Sequence, residues 1–384
     1  MKNIYLLGST GSIGVQTLEI VQNDPDNFRI ITLACNQNIE ILKTQIRQFH
    51  PLLVSVGSAK DALKLANEFS NSIFVSGDEG LVKAATYDES DQNGLLVNAL
   101  VGIAGLKPTI EAIKCKRNIA LANKETLVVG GVLVKKLLEE FNVKLYPIDS
   151  EHSGLWQCLD HEDLTKIKKL YITASGGAFR DYSRENLESV IAEDALKHPN
   201  WQMGKKITID SATMMNKGFE MIEACHLFDI SIDKIEPVLH KESLVHAMVE
   251  FVDNSIIMQM SSHDMKLPIS YALYYPERTK NVAQVLDVCK LKDLHFSQFD
   301  HERYPLLLTA VQAFKSGGTL PCVLNAANEA AVDLFLRGKI AFLEIETIIT
   351  ESLKKHEPVM NPTLEDLLLI DKIIKKTLYQ KYDY

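Results

Sequence analysis

The stretch Asp210–Glu220, with the sequence Asp-Ser-Ala-Thr-Met-Met-Asn-Lys-Gly-Phe-Glu, concentrates side chains that could do chemistry. An anion could be bound where a helix begins, because free backbone N–H groups and the helix dipole favour negative charge there. The side chains that could bind it are those of Ser211, Thr213, Asn216 and Lys217. A carboxylate beside a phosphate is repelled unless a cation lies between them. Glu220 therefore predicts a phosphorylated substrate and a metal ion together.

Two acidic residues earlier in the chain, Asp149 and Glu151, could supply the other ligands of that metal. In an extended segment both side chains point to the same side, and two like charges so close resist joint ionisation unless a cation sits between them. Hard oxygen ligands favour magnesium or manganese. The alternative is a helix N-cap followed by a solvated glutamate. A helix over about residues 213–228 would present Glu220 as the third ligand, or leave it solvated.

Two turns at predicted strand ends could also bind a ligand. Asn123-Lys-Glu125 follows a strand at the carboxyl edge, where open α/β sheets bind ligands, and Lys124 could meet a substrate oxygen. The alternative there is a helix start with an acidic first turn. Ser175-Gly-Gly177 is the second such turn, and it lies between the two carboxylate segments in the sequence.

The segment His198–Gly204, with the sequence His-Pro-Asn-Trp-Gln-Met-Gly, predicts a lid. A proline and a glycine bound this short segment, and neither flank continues an apolar period. Its imidazole, indole and thioether groups can cover a substrate and exclude water. The alternative is a tryptophan and methionine packed in the core, and the flanking residues favour the loop.

The segment Gly8–Gly14 predicts a dinucleotide site. Its spacing is Gly-x-x-Gly-x-x-Gly between a strand and a helix, where glycines let the backbone approach a pyrophosphate. A purely structural turn is the alternative. At the end of the second strand, Cys35–Asn38 has no acidic residue to accept from the ribose hydroxyl of NAD, which favours NADP, and no Arg or Lys to hold the extra phosphate.

The pattern of apolar runs predicts how these segments are positioned. Up to about residue 147, short strand-like runs alternate with helical patterns, which is typical of a parallel, doubly wound sheet. We predict the strands of this part at 4–7, 29–34, 52–56, 73–76, 95–98, 119–122 and 144–147. Closer-spaced strands follow at 170–174, 206–210, 235–239, 245–251 and 256–260. Helical periodicity returns at 306–314, 325–336, 341–355 and 364–379.

We therefore expect an α/β protein with three parts. The predicted boundaries are a Rossmann-type dinucleotide-binding domain at 1–148, an α+β domain at 149–286, a linker at 287–305 and a C-terminal α-helical domain at 306–384.

Composition narrows the classes of partner and location. The chain has 384 residues and a formal net charge of −9, which argues against nucleic acid or an anionic membrane as the main partner. The six cysteines form no Cys-x-x-Cys pair, so we interpret them as reduced packing residues. The apolar run Ile4–Leu7 is too short for a signal peptide or a membrane span, and we expect a cytoplasmic protein.

With these motifs in view, the chain resembles the 1-deoxy-D-xylulose 5-phosphate reductoisomerase family. Six motifs occur in the family's order across nearly the whole chain: Gly8–Gly14, Leu121–Glu125, Asp149–His152, His198–Trp201, Asp210–Glu220 and Leu324–Glu329. The resemblance implies a homodimer that uses NADPH and a divalent cation, Mg or Mn. It assigns NADPH binding to the domain at 1–148, and catalysis and dimerisation to the domain at 149–286. It implies that the carbon skeleton of the substrate rearranges to a branched aldehyde, which hydride from NADPH then reduces to 2-C-methyl-D-erythritol 4-phosphate.

The resemblance also implies roles for individual residues. The metal ligands would be Asp149, Glu151 and Glu220, and with Lys124 they form the catalytic set. The substrate would be held by Lys124, Ser150, Glu151, Ser175, His198, Ser211, Asn216, Lys217 and Glu220. The cofactor would contact Thr10, Gly11, Ser12, Ile13, Gln37, Asn38, Asn123, Glu125 and Gly204. The flap would contain Trp201 and Met203.

This chain departs from the family's pattern at three places. Asn36 and Gln37 stand where members often carry a glycine and a basic residue, and His240-Lys-Glu-Ser243 replaces the more common His-Pro-Gln-Ser. At Ser261–Met265 a glycine and a proline are missing.

Two other functions would explain part of the sequence. A metal-free NADP-dependent dehydrogenase would explain the N-terminal half but leaves the three carboxylates without a role. A catalytically inert dinucleotide sensor would tolerate loss of those carboxylates and of Lys217, and all of them are present.

Overall fold

The computed structural model describes residues 1–88, 90–91, 93–201, 203–280 and 282–382. Two compact units make up the chain. The first comprises Met1–Thr126, Val132–Asp149 and Asp264–Ala283, and the second comprises Leu127–Gly131, Ser150–His263 and Gln284–Tyr384. The segment that starts at Asp264 thus returns to the first unit, although it lies before the boundary predicted at 286. The three-domain boundaries stay a prediction.

The strands and helices of the described residues are as follows. The strands are β1 Lys2–Leu7, β2 Phe28–Ala34, β3 Leu53–Val56, β4 Ile73–Ser76, β5 Gly94–Asn98, β6 Asn118–Leu121, β7 Leu145–Pro147, β8 Ile167–Ala174, β9 Ile235–Leu239, β10 Val245–Phe251, β11 Ile256–Met260 and β12 Ser297–Gln298. The helices are α1 Ser12–Gln22, α2 Ile39–Phe49, α3 Ala59–Glu68, α4 Gly77–Thr86, α5 Leu106–Lys114, α6 Glu125–Phe141, α7 Ser150–Leu159, α8 Ala192–Ala195, α9 Lys205–Thr213, α10 Met215–Phe228, α11 Lys266–Tyr274, α12 Pro305–Ser316, α13 Leu320–Leu336, α14 Glu344–Lys355 and α15 Leu364–Lys381. Short 3-10 turns lie at Gly102–Gly105, Leu164–Lys166, Glu185–Ser189, Ile232–Lys234 and Val288–Lys290.

The first unit contains a parallel sheet in the order β4-β3-β2-β1-β5-β6-β7. The chain leaves the central strand β1 in one direction and later returns to β5 on its other side, so the sheet is doubly wound. Ligands bind such sheets at the carboxyl ends of the strands, where the strand order reverses. Residues Ile4–Leu7 of β1 are fully buried, as a central parallel strand covered on both faces requires.

The second unit contains a mixed sheet in the order β11-β10-β8-β9-β12. Strands β8 and β9 pair in parallel, whereas the β10–β8, β10–β11 and β12–β9 pairs are antiparallel. The buried core of this unit joins the sheet to α9, α10 and the C-terminal helices α12 to α15. The predicted fold class, a doubly wound part followed by an α+β part and C-terminal helices, is confirmed.

Two local predictions were wrong. Residues 206–210 form part of helix α9 rather than a strand. The run Lys-Ile-Thr-Ile-Asp has a β-branched alternation that favours a strand, and short apolar runs cannot separate strand from helix by periodicity. An ion pair from Lys206 Nζ to Asp210 Oδ2, 2.8 Å long and one turn apart, supports the helix instead.

The segment around Glu151 is also not extended, because α7 begins at Ser150. The alternative interpretation, in which a helix begins at this segment, is therefore correct about the helix. Glu151 is not solvated, however, since only 17% of its side chain is exposed. The helix predicted over 213–228 is confirmed as α10, which begins two residues later.

Cysteine packing follows the prediction in part. Cys35, Cys158, Cys225 and Cys322 are buried, whereas Cys115 is half-buried and Cys289 is exposed, so the packing interpretation was wrong for Cys289. Among the described residues, no helix has the length and apolar character needed to cross a membrane.

Candidate active site

The corner between α9 and α10 is built around Met214. This residue has a left-handed backbone with φ of 63° and is only 2% exposed. Such a conformation costs about 1–3 kcal/mol in a residue other than glycine, and it persists only where the surroundings enforce it. Its backbone N–H donates to the carbonyl of Ser211 at 3.3 Å. The bend places Ser211 on the last turn of α9 and Asn216 and Lys217 on the first turn of α10.

Lys217 lies between two carboxylates. Its Nζ is 2.8 Å from Glu151 Oε1 and donates a second hydrogen bond to Glu220 Oε2, while Asn216 Nδ2 donates to Glu220 Oε1. Lys217 and Glu220 are 3% and 1% exposed. Burial alone would lower the pKa of Lys217, but the two carboxylates outweigh it and hold that pKa above its ordinary value. The Lys217 ammonium is therefore charged, and it bridges the carboxylates of Glu151 and Glu220.

These carboxylates fit a divalent cation. Carboxylate oxygens of the half-buried Glu151 and the buried Glu220 lie within 4.8 Å of each other. Oxygen donors at this density are typical ligands of Mg²⁺ or Mn²⁺. Asp149 is two residues before Glu151, and its carboxylate belongs to the same predicted group of metal ligands. The Ser150 hydroxyl between them in the sequence donates to Glu151 Oε2 at 2.5 Å.

Lys124 holds Asp149 within the first unit. Its Nζ is 2.7 Å from Asp149 Oδ2, and the two side chains are 7% and 10% exposed. Lys124 precedes α6 at the carboxyl end of β6, as the sequence predicted. A paired, nearly buried ammonium at this edge is suited to a substrate oxygen.

Sequence reasoning missed a second layer behind Glu220. His152 is fully buried, and its Nε2–H donates to the backbone carbonyl of Glu220 at 2.9 Å. Its Nδ1 lies 3.5 Å from Glu223 Oε2, and Glu223 is also fully buried. The signal was available, since His152 directly follows Glu151 and Glu223 lies three residues after Glu220. The His152 hydrogen bond therefore helps to fix the backbone that carries Glu220.

The turn Ser175-Gly-Gly177 packs against Ser211. Gly176 and Gly177 have φ of 90° and 71°, and a Cβ on Gly177 would lie 2.6 Å from the Ser211 carbonyl oxygen. Only glycine allows this approach of two backbones. The Gly177 N–H donates to Ser175 Oγ at 3.2 Å. The hydroxyls of Ser175 and Ser211 are therefore carried by two segments in direct contact.

His198 reaches the same turn with a defined tautomer. Its Nδ1 accepts from the backbone N–H groups of Asn200 and Trp201 at 3.2 and 2.9 Å. The proton of the neutral ring is therefore on Nε2, which donates to Ser175 Oγ at 2.9 Å. Burial, with smaller contributions from Arg180 and His263, lowers the pKa of His198 to about 4. The ring is neutral at physiological pH.

This shift predicts a pH dependence of stability. The pKa of His198 is about 4 in the folded protein, against 6.5 for an ordinary histidine. The unfolded chain therefore binds more protons at this residue between these values, so the contribution of His198 to the free energy of unfolding is greatest above pH 6.5 and falls as pH drops towards 4. Replacing His198 by Gln should flatten that fall, measured by urea unfolding at several pH values. The matched change at His161, whose ring is 91% exposed, should leave the slope unaltered; equal slopes for the wild type and the His198 variant would contradict the assignment.

The predicted lid is a loop in the structure. Trp201 lies edge-on to His263, with 5.4 Å between ring centroids, and its ring is 6.2 Å from that of His246. Met203 is half-buried, and Gly204 is exposed at the start of α9. Gln202 lies outside the described residues. The loop is confirmed, whereas its closing motion stays a prediction.

The glycine-rich turn has the geometry of a nucleotide site. Gly8 has φ of 84°, and a Cβ there would lie 2.4 Å from the Ala99 carbonyl oxygen. A Cβ on Gly14 would lie 2.2 Å from the Gly8 carbonyl oxygen, so α1 packs directly on the turn. Gly11 caps α1 without a side-chain hydrogen bond. The N-terminus of α1 is thus suited to an anion, with Thr10, Ser12 and Ile13 around it.

The other predicted cofactor residues fall into two groups. Asn36, Gln37 and Asn38 are exposed after β2. The Asn123 amide is committed to the protein, because it donates to the carbonyls of Leu100 and Gly102 and to Glu125 Oε2. Asn123 therefore braces the loop after β5, and its predicted cofactor contact is untested.

Profiles of one enzyme family match most of this chain. The family profile of 1-deoxy-D-xylulose 5-phosphate reductoisomerase matches residues 4–131, and two profiles for the C-terminal domain of that enzyme match residues 145–228 and 260–377. A relative with this name from Shouchella clausii is 51% identical, covering 98% of this chain and 100% of the relative. The chain belongs to this family. A relative from Macrococcus caseolyticus is 48% identical over 99% of this chain and 100% of its own length.

Solved structures of the family share the fold. A crystal structure of DOX-P reductoisomerase in complex with NADPH, fosmidomycin and magnesium has a TM-score of 0.94 and 38% identity, covering 100% of this chain and 98% of that one. The enzyme from Zymomonas mobilis in complex with NADPH has a TM-score of 0.91 and 38% identity, covering 99% of each chain. The predicted family and fold are confirmed.

Proposed function

We propose that this chain is a metal-dependent reductoisomerase that converts 1-deoxy-D-xylulose 5-phosphate to 2-C-methyl-D-erythritol 4-phosphate with NADPH, a step of isoprenoid biosynthesis. One observation carries the proposal within the family: two carboxylates, the half-buried Glu151 and the buried Glu220, share the Lys217 ammonium at the α9–α10 corner that also carries Ser211 and Asn216. A metal-free dehydrogenase has no need of that pair.

The carboxylates of Asp149, Glu151 and Glu220 would hold the metal. A bound Mg²⁺ or Mn²⁺ ion would polarise the keto oxygen and the neighbouring hydroxyl of the substrate, stabilising the charge that develops as a carbon–carbon bond breaks and re-forms. The hydrogen bond from His152 to the Glu220 carbonyl would help to hold Glu220 in place for this task. Lys124 and Ser150 would meet the reacting end of the substrate, where the Lys124 ammonium can hydrogen-bond an oxygen that gains negative charge.

The phosphate would be bound by Ser175, Ser211, Asn216 and Lys217. Ser175 lies on a turn whose Gly177 packs against the Ser211 backbone at the end of α9, and Asn216 and Lys217 lie at the start of α10. Binding energy from a phosphate remote from the reacting carbons can be used to orient the rest of the substrate. The neutral His198, with its proton on Nε2, adds a donor beside Ser175. Trp201 and Met203 on the same loop would exclude water.

The first unit would bind NADPH. Its pyrophosphate would rest on the N-terminus of α1, near Thr10, Gly11, Ser12 and Ile13. The adenosine ribose and its phosphate would lie near Gln37 and Asn38, which offer neutral amides. Asn123, Glu125 and Gly204 are proposed to complete the site. NADPH would supply the hydride for the reduction.

The proposal is tested by mixing the purified protein with 1-deoxy-D-xylulose 5-phosphate, NADPH and Mn²⁺. We expect NADPH oxidation that stops when EDTA is added and resumes with excess Mn²⁺ or Mg²⁺. Full turnover in EDTA would remove the metal from the mechanism. Absence of NADPH oxidation in all conditions would remove the reaction itself.

We also propose that a second copy of the chain covers the edge strand β11. Ile256, Ile257 and Met258 are 51%, 42% and 46% exposed there. Natural sheets usually protect an edge with charges or proline, so three exposed apolar residues in a row mark a contact surface. The proposed cytoplasmic location rests on the sequence alone and stays a prediction.

Dimerisation through β11 predicts a change of mass on mutation. Ile257→Asp should place a charge in the interface and convert a dimer to a monomer, measured by light scattering at micromolar concentration. Leu63→Asp is the matched control, because Leu63 is 69% exposed on α3. A monomeric wild type, or a variant that stays dimeric, would contradict the assignment of β11.

A further inference from the structure

The motif Leu324–Glu329 lies outside the groups assigned to substrate, metal and cofactor. It forms the middle of α13, one of the C-terminal helices. Asn325 and Asn328 in this motif are both fully buried. Two buried amides in an otherwise apolar helix are costly unless each has a structural or functional partner.

Asn328 has that partner in α9. Its Nδ2 donates to Asp210 Oδ1 at 2.8 Å, across 118 residues of sequence. Asp210 is 2% exposed, and its other oxygen, Oδ2, is 2.8 Å from Lys206 Nζ. Lys206 neutralises the carboxylate but belongs to the same helix. The Asn328 bond, in contrast, ties α9 to a separate element.

Asp210 is joined directly to the phosphate-binding corner. Ser211 is the next residue, and its carbonyl packs against Gly177. The Thr213 hydroxyl donates to the Asp210 carbonyl at 3.3 Å, and the N–H of Met215 donates to the Thr213 hydroxyl at 3.4 Å. A displacement of Asp210 would therefore move both sides of the bend at Met214.

We propose that Asn328 is a positioning residue for the substrate phosphate. It holds Asp210, and Asp210 fixes the end of α9 that presents Ser211 beside Ser175 and Asn216. This inference rests on the proposed function, because it takes the α9–α10 corner as the phosphate site. It gives the C-terminal helices a role in substrate affinity in addition to their packing.

The same helix supplies a matched control. Asn325 is equally buried, but its Nδ2 donates to Glu329 Oε1 at 2.7 Å within α13. Asn325→Ala and Asn328→Ala remove the same atoms from the same helix. Both should lower the free energy of unfolding, and only Asn328→Ala should release α9.

The experiment measures inorganic phosphate binding by calorimetry and steady-state kinetics for both variants. We expect Asn328→Ala to weaken phosphate binding and to raise KM for the phosphorylated substrate by up to about a hundredfold, because misplacing a group by about 1 Å can cost that much. We expect kcat to change less and NADPH affinity to stay the same. Equal phosphate affinities for the two variants would overturn the proposal.

A charge-swapped pair keeps the test decisive if Asn328→Ala does not fold. Asp210→Asn combined with Asn328→Asp exchanges donor and acceptor but keeps one N–H to carboxylate bond. The double variant should bind phosphate more tightly than Asn328→Asp alone, and no recovery would count against the proposal. Calorimetry needs no turnover, so a wild type that binds phosphate but forms no product would refute the reaction and leave the role of Asn328 intact. A wild type that binds no phosphate would refute the role of Asn328.

Discussion

Replacing Glu220 by Gln should lower metal-dependent turnover by about two orders of magnitude or more, since loss of one charge-stabilising group commonly costs that much. Glutamine keeps the shape of the side chain and can still accept the hydrogen bond from Asn216. It removes the negative charge at position 220, which together with that of Glu151 neutralises the Lys217 ammonium. The metal site would keep fewer anionic ligands. NADPH affinity should stay within about twofold, because the predicted nucleotide groups on α1 are in the other unit.

The control for this prediction is Glu236→Gln. Glu236 also pairs with a lysine, Lys169, but both side chains are about two-fifths exposed. Exposed ion pairs contribute little, so turnover should be unchanged. Metal titration followed by calorimetry would separate the two variants, and an unaltered Mn²⁺ affinity in Glu220→Gln would contradict the ligand assignment.

Lys217→Ala should destabilise the metal-free protein strongly. The change leaves the carboxylates of Glu151 and Glu220 close together without their shared cation. Removing one partner of a buried ion pair costs about 3–5 kcal/mol in the free energy of unfolding. Mn²⁺ should recover much of this loss, because a divalent cation can neutralise the same carboxylates.

The measurement is the thermal midpoint of Lys217→Ala with EDTA and with Mn²⁺, beside that of the wild type. We expect the metal to raise the midpoint of the variant more than that of the wild type. The variant should also show a raised KM for the phosphorylated substrate, since Lys217 is a proposed phosphate ligand. Lys169→Ala, which removes an exposed lysine, should show neither effect. Identical metal-induced shifts in the Lys217 variant and the wild type would show that Lys217 does not stand beside the metal ligands.

Much of the fold followed from the sequence because its signals are local. The strands of the first unit are short apolar runs separated by helical periods, and the turn at Gly8 requires glycine for steric reasons. Helix α10 was predicted by its period. The strand predicted at 206–210 failed because Ile-Thr-Ile favours a strand locally, whereas the bond from Asn328 that holds α9 comes from 118 residues away.

The candidate site was predictable in its residue types but not in its contacts. Asp149, Glu151 and Glu220 were predicted as ligands because like charges so close together resist joint ionisation unless a cation lies between them. Sequence alone placed Lys217 with the phosphate, and it could not show that its ammonium also bridges Glu151 and Glu220. That contact depends on the left-handed bend at Met214, which no local pattern predicts, since residues other than glycine rarely adopt it.

The buried pair His152 and Glu223 shows a similar limit. Each residue has an ordinary alternative, a core histidine or a solvated glutamate, when taken alone. Their relation to Glu220 arises only when α7 and α10 pack together. Such supporting contacts depend on tertiary structure.

The central claim is that the carboxylates of Asp149, Glu151 and Glu220 serve a rearrangement of the carbon skeleton in addition to a reduction. The most direct test is to supply ¹³C-labelled 1-deoxy-D-xylulose 5-phosphate with NADPH and Mn²⁺, and to follow the carbon–carbon couplings of the product by NMR. We expect one original coupling to disappear and a new one to appear, as the branched 2-C-methyl-D-erythritol 4-phosphate requires. A reduced product that keeps every original carbon–carbon coupling would show a plain dehydrogenase and contradict the account.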